Sequence, residues 1–271
     1  MRNRMAIALV PLCWVVAGCD DPRINCASVQ EPQRAIRACT AIISSGRETK
    51  HTIAIAFYNR GIAKNNAGKY EDAILDLTRA AQLNRGDAKI YYHRALTSYS
   101  VGRTTEAIAD YTEALRLNPS YQLAFSRRAA TELAQEHYLA AISDATEAVK
   151  INPKDDFAYA TRAAALYFMK DYAGSVSNLT EALRITPRDA KRYVARAWAY
   201  MGLLQTGAAL ADADRAIKLA PDNASAHELR AYVNQKLGRT EQAIADLRAA
   251  LRADPSREAT KEALLRLGAA P

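Results

Sequence analysis

The chain has 271 residues with 37 Lys and Arg against 29 Asp and Glu, a formal charge of +8, and 49% of it is apolar. That apolar share excludes disorder as the main state. Only 11 glycines are present, which argues against a Gly-rich nucleotide fold or a turn-dense β protein. Length alone predicts one or two globular domains.

In chain order, the first element is a leader. Arg2 and Arg4 precede an apolar run, Met5 to Val16, too short to span a bilayer. Residues 1–18 read as a signal peptide ending Val16-Ala17-Gly18, directly before Cys19. Small residues before a cysteine resemble the bacterial lipobox, which implies lipidation of Cys19 and a periplasm-facing, lipid-anchored protein of the cell envelope. Asp20 at the next position resembles an inner-membrane retention signal. The other reading is an ordinary secretory signal cut nearby, a soluble periplasmic product and Cys19 as a leftover thiol. Loss of the leader removes Arg2, Arg4 and Cys13. Cys26 and Cys39 then form an even pair, which in an exported chain reads as a disulfide; two unpaired buried thiols are the alternative.

A repeat fills most of the remaining chain. Pro119, Pro153, Pro187, Pro221 and Pro255 are 34 residues apart, and no other proline falls between residues 54 and 257. Small residues recur in the same phase at Ala73, Ala107, Ala141, Ser175, Ala209 and Ala243, and alanine recurs from Ala80 to Ala250. A ring recurs at Phe57, Tyr91, Phe125, Tyr159 and Tyr193, with His227 in the last copy. Gly61, Ala95, Ala129, Ala163, Ala197 and Ala231 form a further small column.

These columns resemble the tetratricopeptide repeat, over six copies from Ala54 to Arg257. The resemblance implies an all-α, right-handed solenoid of six helix hairpins with a ligand groove on its concave side. Small columns let helix axes approach, and proline ends each second helix. Residues 19–53 are expected to be a tether and an N-terminal half-repeat stapled by Cys26 and Cys39. Residues 35–43 match a second helix, four residues out of phase. Residues 258–271 are expected to be a capping helix and tail.

One column suggests anion binding: Arg60, Arg94, Arg128, Arg162, Arg196 and Arg230. Sixteen residues after each stands an acceptor, Asp76, Asp110, Asp144, Asn178, Asp212 or Asp246. Ion pairs inside each hairpin are therefore expected, with a hydrogen bond alone at Arg162. The resemblance places partner contacts on the first helices. There the sequence holds Tyr58, Tyr92, Tyr99, Tyr167, Phe168, Trp198 and Tyr232, with Lys89, His93, Arg127 and Lys191. Tyr58 and Ile62 occupy places where the chaperone-binding relatives need Lys and Asn, so that activity is not expected.

No catalytic constellation is visible, and no cofactor or metal is expected. His51, His93, His137 and His227 share no ligand spacing, and no Gly-rich phosphate loop or nucleophile elbow occurs. The neighbouring Asp155 and Asp156 fall at a helix start, where they favour the dipole. The sequence therefore reads as a non-enzymatic adaptor binding a peptide-like segment of another envelope protein, with basic residues favouring acidic partners. A structural subunit of an envelope assembly, or a binder of anionic polymer, are the alternatives. Export argues against nucleic acid.

Overall fold

The computed structural model describes residues 22–28 and 30–270; the leader, Cys19 and Asp20 lie outside the described residues. The described residues form fifteen α-helices and no strand. They fall into two compact units, divided between Pro119 and Ser120.

The first unit opens with a short helix, α1 (Pro22–Ala27), and α2 (Pro32–Ser44). Two hairpins come next: α3 (Lys50–Asn66) with α4 (Tyr70–Leu83), and α5 (Ala88–Ser100) with α6 (Thr104–Leu117). The buried stripe of α2 is Ala35, Cys39 and Ile42, the 4 and 3 spacing of a one-sided helix. Cys26, Cys39, Ile42 and Ala56 form one cluster that joins α1 and α2 to α3. The sulfurs of Cys26 and Cys39 are within bonding distance, with their Cα atoms 4.7 Å apart. The first hairpin begins earlier than the 34-residue phase places it. Thr49 caps α3 by accepting from the Thr52 N–H (3.1 Å), adding a turn ahead of Ala54.

The second unit stacks four hairpins. They are α7 (Gln122–Ala134) with α8 (Tyr138–Ile151), α9 (Asp156–Phe168) with α10 (Tyr172–Ile185), α11 (Ala190–Gly202) with α12 (Thr206–Leu219), and α13 (Ala224–Lys236) with α14 (Thr240–Ala253). The last helix is α15 (Glu258–Arg266). It is held by more than a polar face. Leu264 joins the core of Ala231, Ala243 and Leu247, while Arg257 and Thr260 both donate to the Glu228 carboxylate.

Two local rules build every hairpin. The second helices stop because the residue before proline is pushed into an extended conformation: Asn118 has φ −136° and ψ 91°, Asn152 φ −128° and ψ 95°. Asn84 takes the same shape (φ −134°, ψ 87°) although Arg85 replaces the proline, so packing imposes it there. The first helices end in a left-handed residue: Gly68, Gly102, Glu136, Lys170, Leu204 or Gly238. The next amide then returns to a carbonyl five residues back at 2.9 Å, as Gln205 does to Tyr200. Glycine adopts that geometry without penalty, whereas Glu136, Lys170 and Leu204 do so at a cost of about 1–2 kcal/mol each.

The alanine columns are fully buried at the helix crossings. Gly61 shows why they must be small: a Cβ there would lie 2.7 Å from the Leu77 side chain.

Candidate functional site

The arginine column resolves into structure. Arg94 donates through Nε and Nη2 to both Asp110 oxygens (2.7 and 2.6 Å), and Arg60, Arg128 and Arg196 repeat the same fork on Asp76, Asp144 and Asp212. Arg230 holds Asp246 in the sixth hairpin. Arg162 donates to Asn178 Oδ1 at 2.7 Å, a hydrogen bond without the charge. Burial without a counter-charge pushes the Arg162 pKa down, whereas hydrogen bonds to the carboxylates raise those of Arg94, Arg196 and Arg230.

Two further contacts of these arginines were not foreseen. Nη1 crosses to the preceding second helix: Arg94 to Thr78 (3.2 Å), Arg162 to Thr146 (3.1 Å), Arg196 to Thr180 (3.0 Å) and Arg230 to Asp214 (2.7 Å). Arg60 reaches Thr40 in the same way (3.0 Å), so α2 stands where a preceding second helix would. Each guanidinium also lies over the ring three residues earlier, at 5.3 to 5.9 Å in the first five hairpins. The sixth has His227 instead, whose Nε2–H donates to the Pro221 carbonyl at 2.8 Å. The column is consumed by structure and offers no anion ladder.

Asp155 and Asp156 are likewise structural. Asp155 caps α9 by accepting from the Ala158 N–H (3.0 Å) and takes bonds from Gln122 and Ser126 of α7. Asp156 pairs with Arg192 of α11.

The aromatic positions assemble in two places. In the second unit, Tyr167, Phe168 and Trp198 wall a cavity of about 390 Å³ whose remaining lining is Ala160, Ala164, Ala195, Leu179 and Ser175. No charged side chain lines it. Two of its lining residues on α9 are alanines in columns where some hairpins carry bulk, although α7 is small there too, with Ser126 and Ala130. Ala160 stands where Tyr58 and Tyr92 stand, and Ala164 where Trp198 and Tyr232 stand. Trp198 is also the wall of a second cavity of about 580 Å³, lined by Tyr232, Gln235, Leu247 and residues of α15 including Arg266. The Trp198 and Tyr232 rings are 5.3 Å apart. Phe168 is 58% exposed and stacks on Tyr138 at 5.5 Å. Burial, with Tyr172 and Tyr232 nearby, raises the Tyr167 pKa and keeps its phenol neutral.

In the first unit, His93 lies between two rings, 5.5 Å from Tyr58 and 5.2 Å from Tyr92. Burial lowers its pKa to about 4 against the raising influence of Asp87. Tyr92 does not line an open groove. It is 6% exposed, with its ring 6.0 Å from that of Tyr111, and belongs to the core. The ring at that column turns inward in α5, whereas α9 has Ala160 there and leaves space.

The charged positions do not join the aromatics. Lys89 and Tyr99 are exposed, Arg127 lies over the Phe157 ring at 4.7 Å, and Lys191 lines a different depression beside Arg188 and Asp189. The basic residues thus give the aromatic cavity no cationic lining. Sequence reasoning missed its small members, Ala160, Ala164, Ala195 and Ser175. The signal available was their departure from the bulk or composition of their columns.

Among the described residues no group of three His, Cys, Asp or Glu could hold a metal ion, and no helix is long and apolar enough to cross a membrane.

Residues 88–121 match one model of the tetratricopeptide repeat, and residues 194–258 match another. No curated protein matches in sequence. Among solved structures, a tetratricopeptide repeat protein from Parabacteroides merdae is 22% identical, with TM-score 0.66, over 90% of this chain and 95% of that one. The C-terminal part of a TPR repeat-containing protein from Cytophaga hutchinsonii is 17% identical, with TM-score 0.70, over 90% and 98%. YrrB, described as a TPR protein with an unusual peptide-binding site, is 19% identical, with TM-score 0.58, over 69% and 96%. At these identities the likeness is one of fold.

Proposed function

We propose that this chain, which belongs to the tetratricopeptide-repeat family, is a non-enzymatic adaptor of the bacterial cell envelope that docks a segment of another protein on the first helices of its second unit. The repeat is a protein-interaction scaffold, and YrrB gives a precedent for a peptide on this fold. The observation that carries the proposal is the pair of cavities sharing Trp198, with Tyr167, Phe168 and Tyr232 around them. Clustered aromatics beside desolvated hollows are the usual anchors of protein recognition. The inserted part of the partner is apolar or uncharged, because no charge lines the first cavity and burying an unpaired charge is costly. Acidic residues of the partner lie further out, toward Lys191.

The envelope location rests on the leader and on Cys19. One acyl chain would anchor only marginally, and the several chains of a lipoprotein stably. A disulfide between Cys26 and Cys39 suits an oxidising compartment.

The test is crosslinking in cells from a photoreactive residue at Phe168, compared with one at the exposed Arg215 of α12. A partner captured from Phe168, absent from Arg215 and lost in the cavity-filling Ala164→Trp, supports the docking face. Equal capture from both positions refutes it. Lipidation is checked separately: palmitate labelling must disappear in Cys19→Ala.

A further inference from the structure

Ser175 is the exception in its column. The other five hairpins hold Ala73, Ala107, Ala141, Ala209 and Ala243 at the crossing of their two helices. Ser175 is buried as deeply, at 1% exposed, and it lines the cavity walled by Trp198. A serine or threonine inside a helix ordinarily returns its hydroxyl to a carbonyl one turn back, as Thr180 does to Val176 at 2.8 Å. The Ser175 hydroxyl makes no bond of this kind. It is not one of the fully buried polar atoms left without a partner, which among the described residues are Asn65 Oδ1, His227 Nδ1 and Asn234 Oδ1, so it stays open to the cavity that it lines. A hydroxyl on an otherwise apolar wall points to a hydrogen-bonding ligand group that enters the cavity.

The cavity sets the character of that group. Its walls are rings, so a ring packs against them with an edge or an offset face. Its volume of about 390 Å³ is more than a short polar side chain fills. It carries no charge, so the entering group is neutral. A phenol satisfies all three conditions, since its hydroxyl can both donate to and accept from a serine hydroxyl.

We propose that this cavity is the anchor pocket for a tyrosine side chain of the docked segment, with its phenol hydrogen-bonded to Ser175 Oγ. This rests on the docking reading above and specifies it: the floor of the pocket selects tyrosine over phenylalanine. A site that offers a hydrogen bond to a ligand hydroxyl discriminates against the analogue that lacks it.

The full-length chain has two tryptophans, Trp14 and Trp198. In the Trp14→Phe chain, kept in detergent, emission therefore reports on the pocket alone. Capped nine-residue Gly/Ser peptides with a central Tyr, Phe or Leu are titrated against it. The expected result is binding of the Tyr peptide about fivefold tighter than the Phe peptide, the value of one neutral hydrogen bond. Adding Ser175→Ala should bring that ratio to about one, with the thermal midpoint unchanged or raised, because alanine is the residue of the column. Equal binding of Tyr and Phe overturns the proposal, as does a Tyr preference that survives Ser175→Ala. Tightest binding by the Leu peptide overturns the tyrosine anchor while leaving the docking face standing. A lack of response to every peptide also overturns the anchor, and crosslinking from Phe168 then decides the docking reading separately.

Discussion

Arg196→Met tests whether the arginine column is structural. Arg196 donates to both Asp212 oxygens at 2.7 and 2.8 Å and to Thr180 at 3.0 Å, and lies over the Tyr193 ring at 5.6 Å. Methionine keeps the stem of the side chain and removes the guanidinium. Asp212, 7% exposed, is then left as a buried carboxylate without its cation. Breaking one side of a buried pair costs about 3–5 kcal/mol, far above what a solvent-screened exposed pair such as Arg184–Glu181 contributes. In a chain of this length, that is a fall in thermal midpoint on the order of 10 °C. The assay is helical ellipticity against urea and temperature, with Arg184→Met as the exposed control. Arg196→Met/Asp212→Leu is the decisive partner, because removing both charges also removes their desolvation cost and should recover most of the loss. A loss below about 1 kcal/mol in the single variant, or a double variant no more stable than the single, would refute the structural reading.

Three further outcomes are expected. Leu204 is 86% exposed and left-handed (φ 59°), so Leu204→Gly should raise stability by about 0.5–1 kcal/mol, read from the urea midpoint. His93 takes its proton near pH 4 when folded and near its ordinary 6.5 when unfolded. Between those values the unfolded chain holds more protons, so stability falls as pH drops from 6.5 to 4, by at most about 3 kcal/mol. His93→Gln should remove that share of the slope in unfolding curves taken at pH 7 and pH 4.5. Cys26 and Cys39 should add two alkyl groups by mass only after reduction, and Cys26→Ala/Cys39→Ala should cost about 3 kcal/mol for a 13-residue separation.

Much of the fold was legible because its rules are local. A proline 34 residues after the last, an alanine at each crossing and an arginine sixteen residues before its acceptor are relations within one hairpin. Such relations survive in any register of the stack. Ser175 was visible as a member of the small column, but nothing in the chain order says that its hydroxyl faces a hollow. Tyr92 shows the same limit: whether a ring at that column turns into the core or lines an opening depends on what stands opposite it.

The hairpin, its period and the pairing of Arg with Asp or Asn follow from chain order, because each depends on residues a fixed helical distance apart. Tertiary structure alone decided which hairpin opens a cavity and which aromatics share it. It also decided that the guanidinia of Arg60, Arg94, Arg162, Arg196 and Arg230 reach the preceding helix, where Thr40, Thr78, Thr146, Thr180 and Asp214 wait. The physical reason is that a cavity is a deficit of volume summed over three helices. Ala160 and Ala164 on α9, Ser175 and Leu179 on α10, and Ala195 and Trp198 on α11 acquire their meaning only once stacking brings them together.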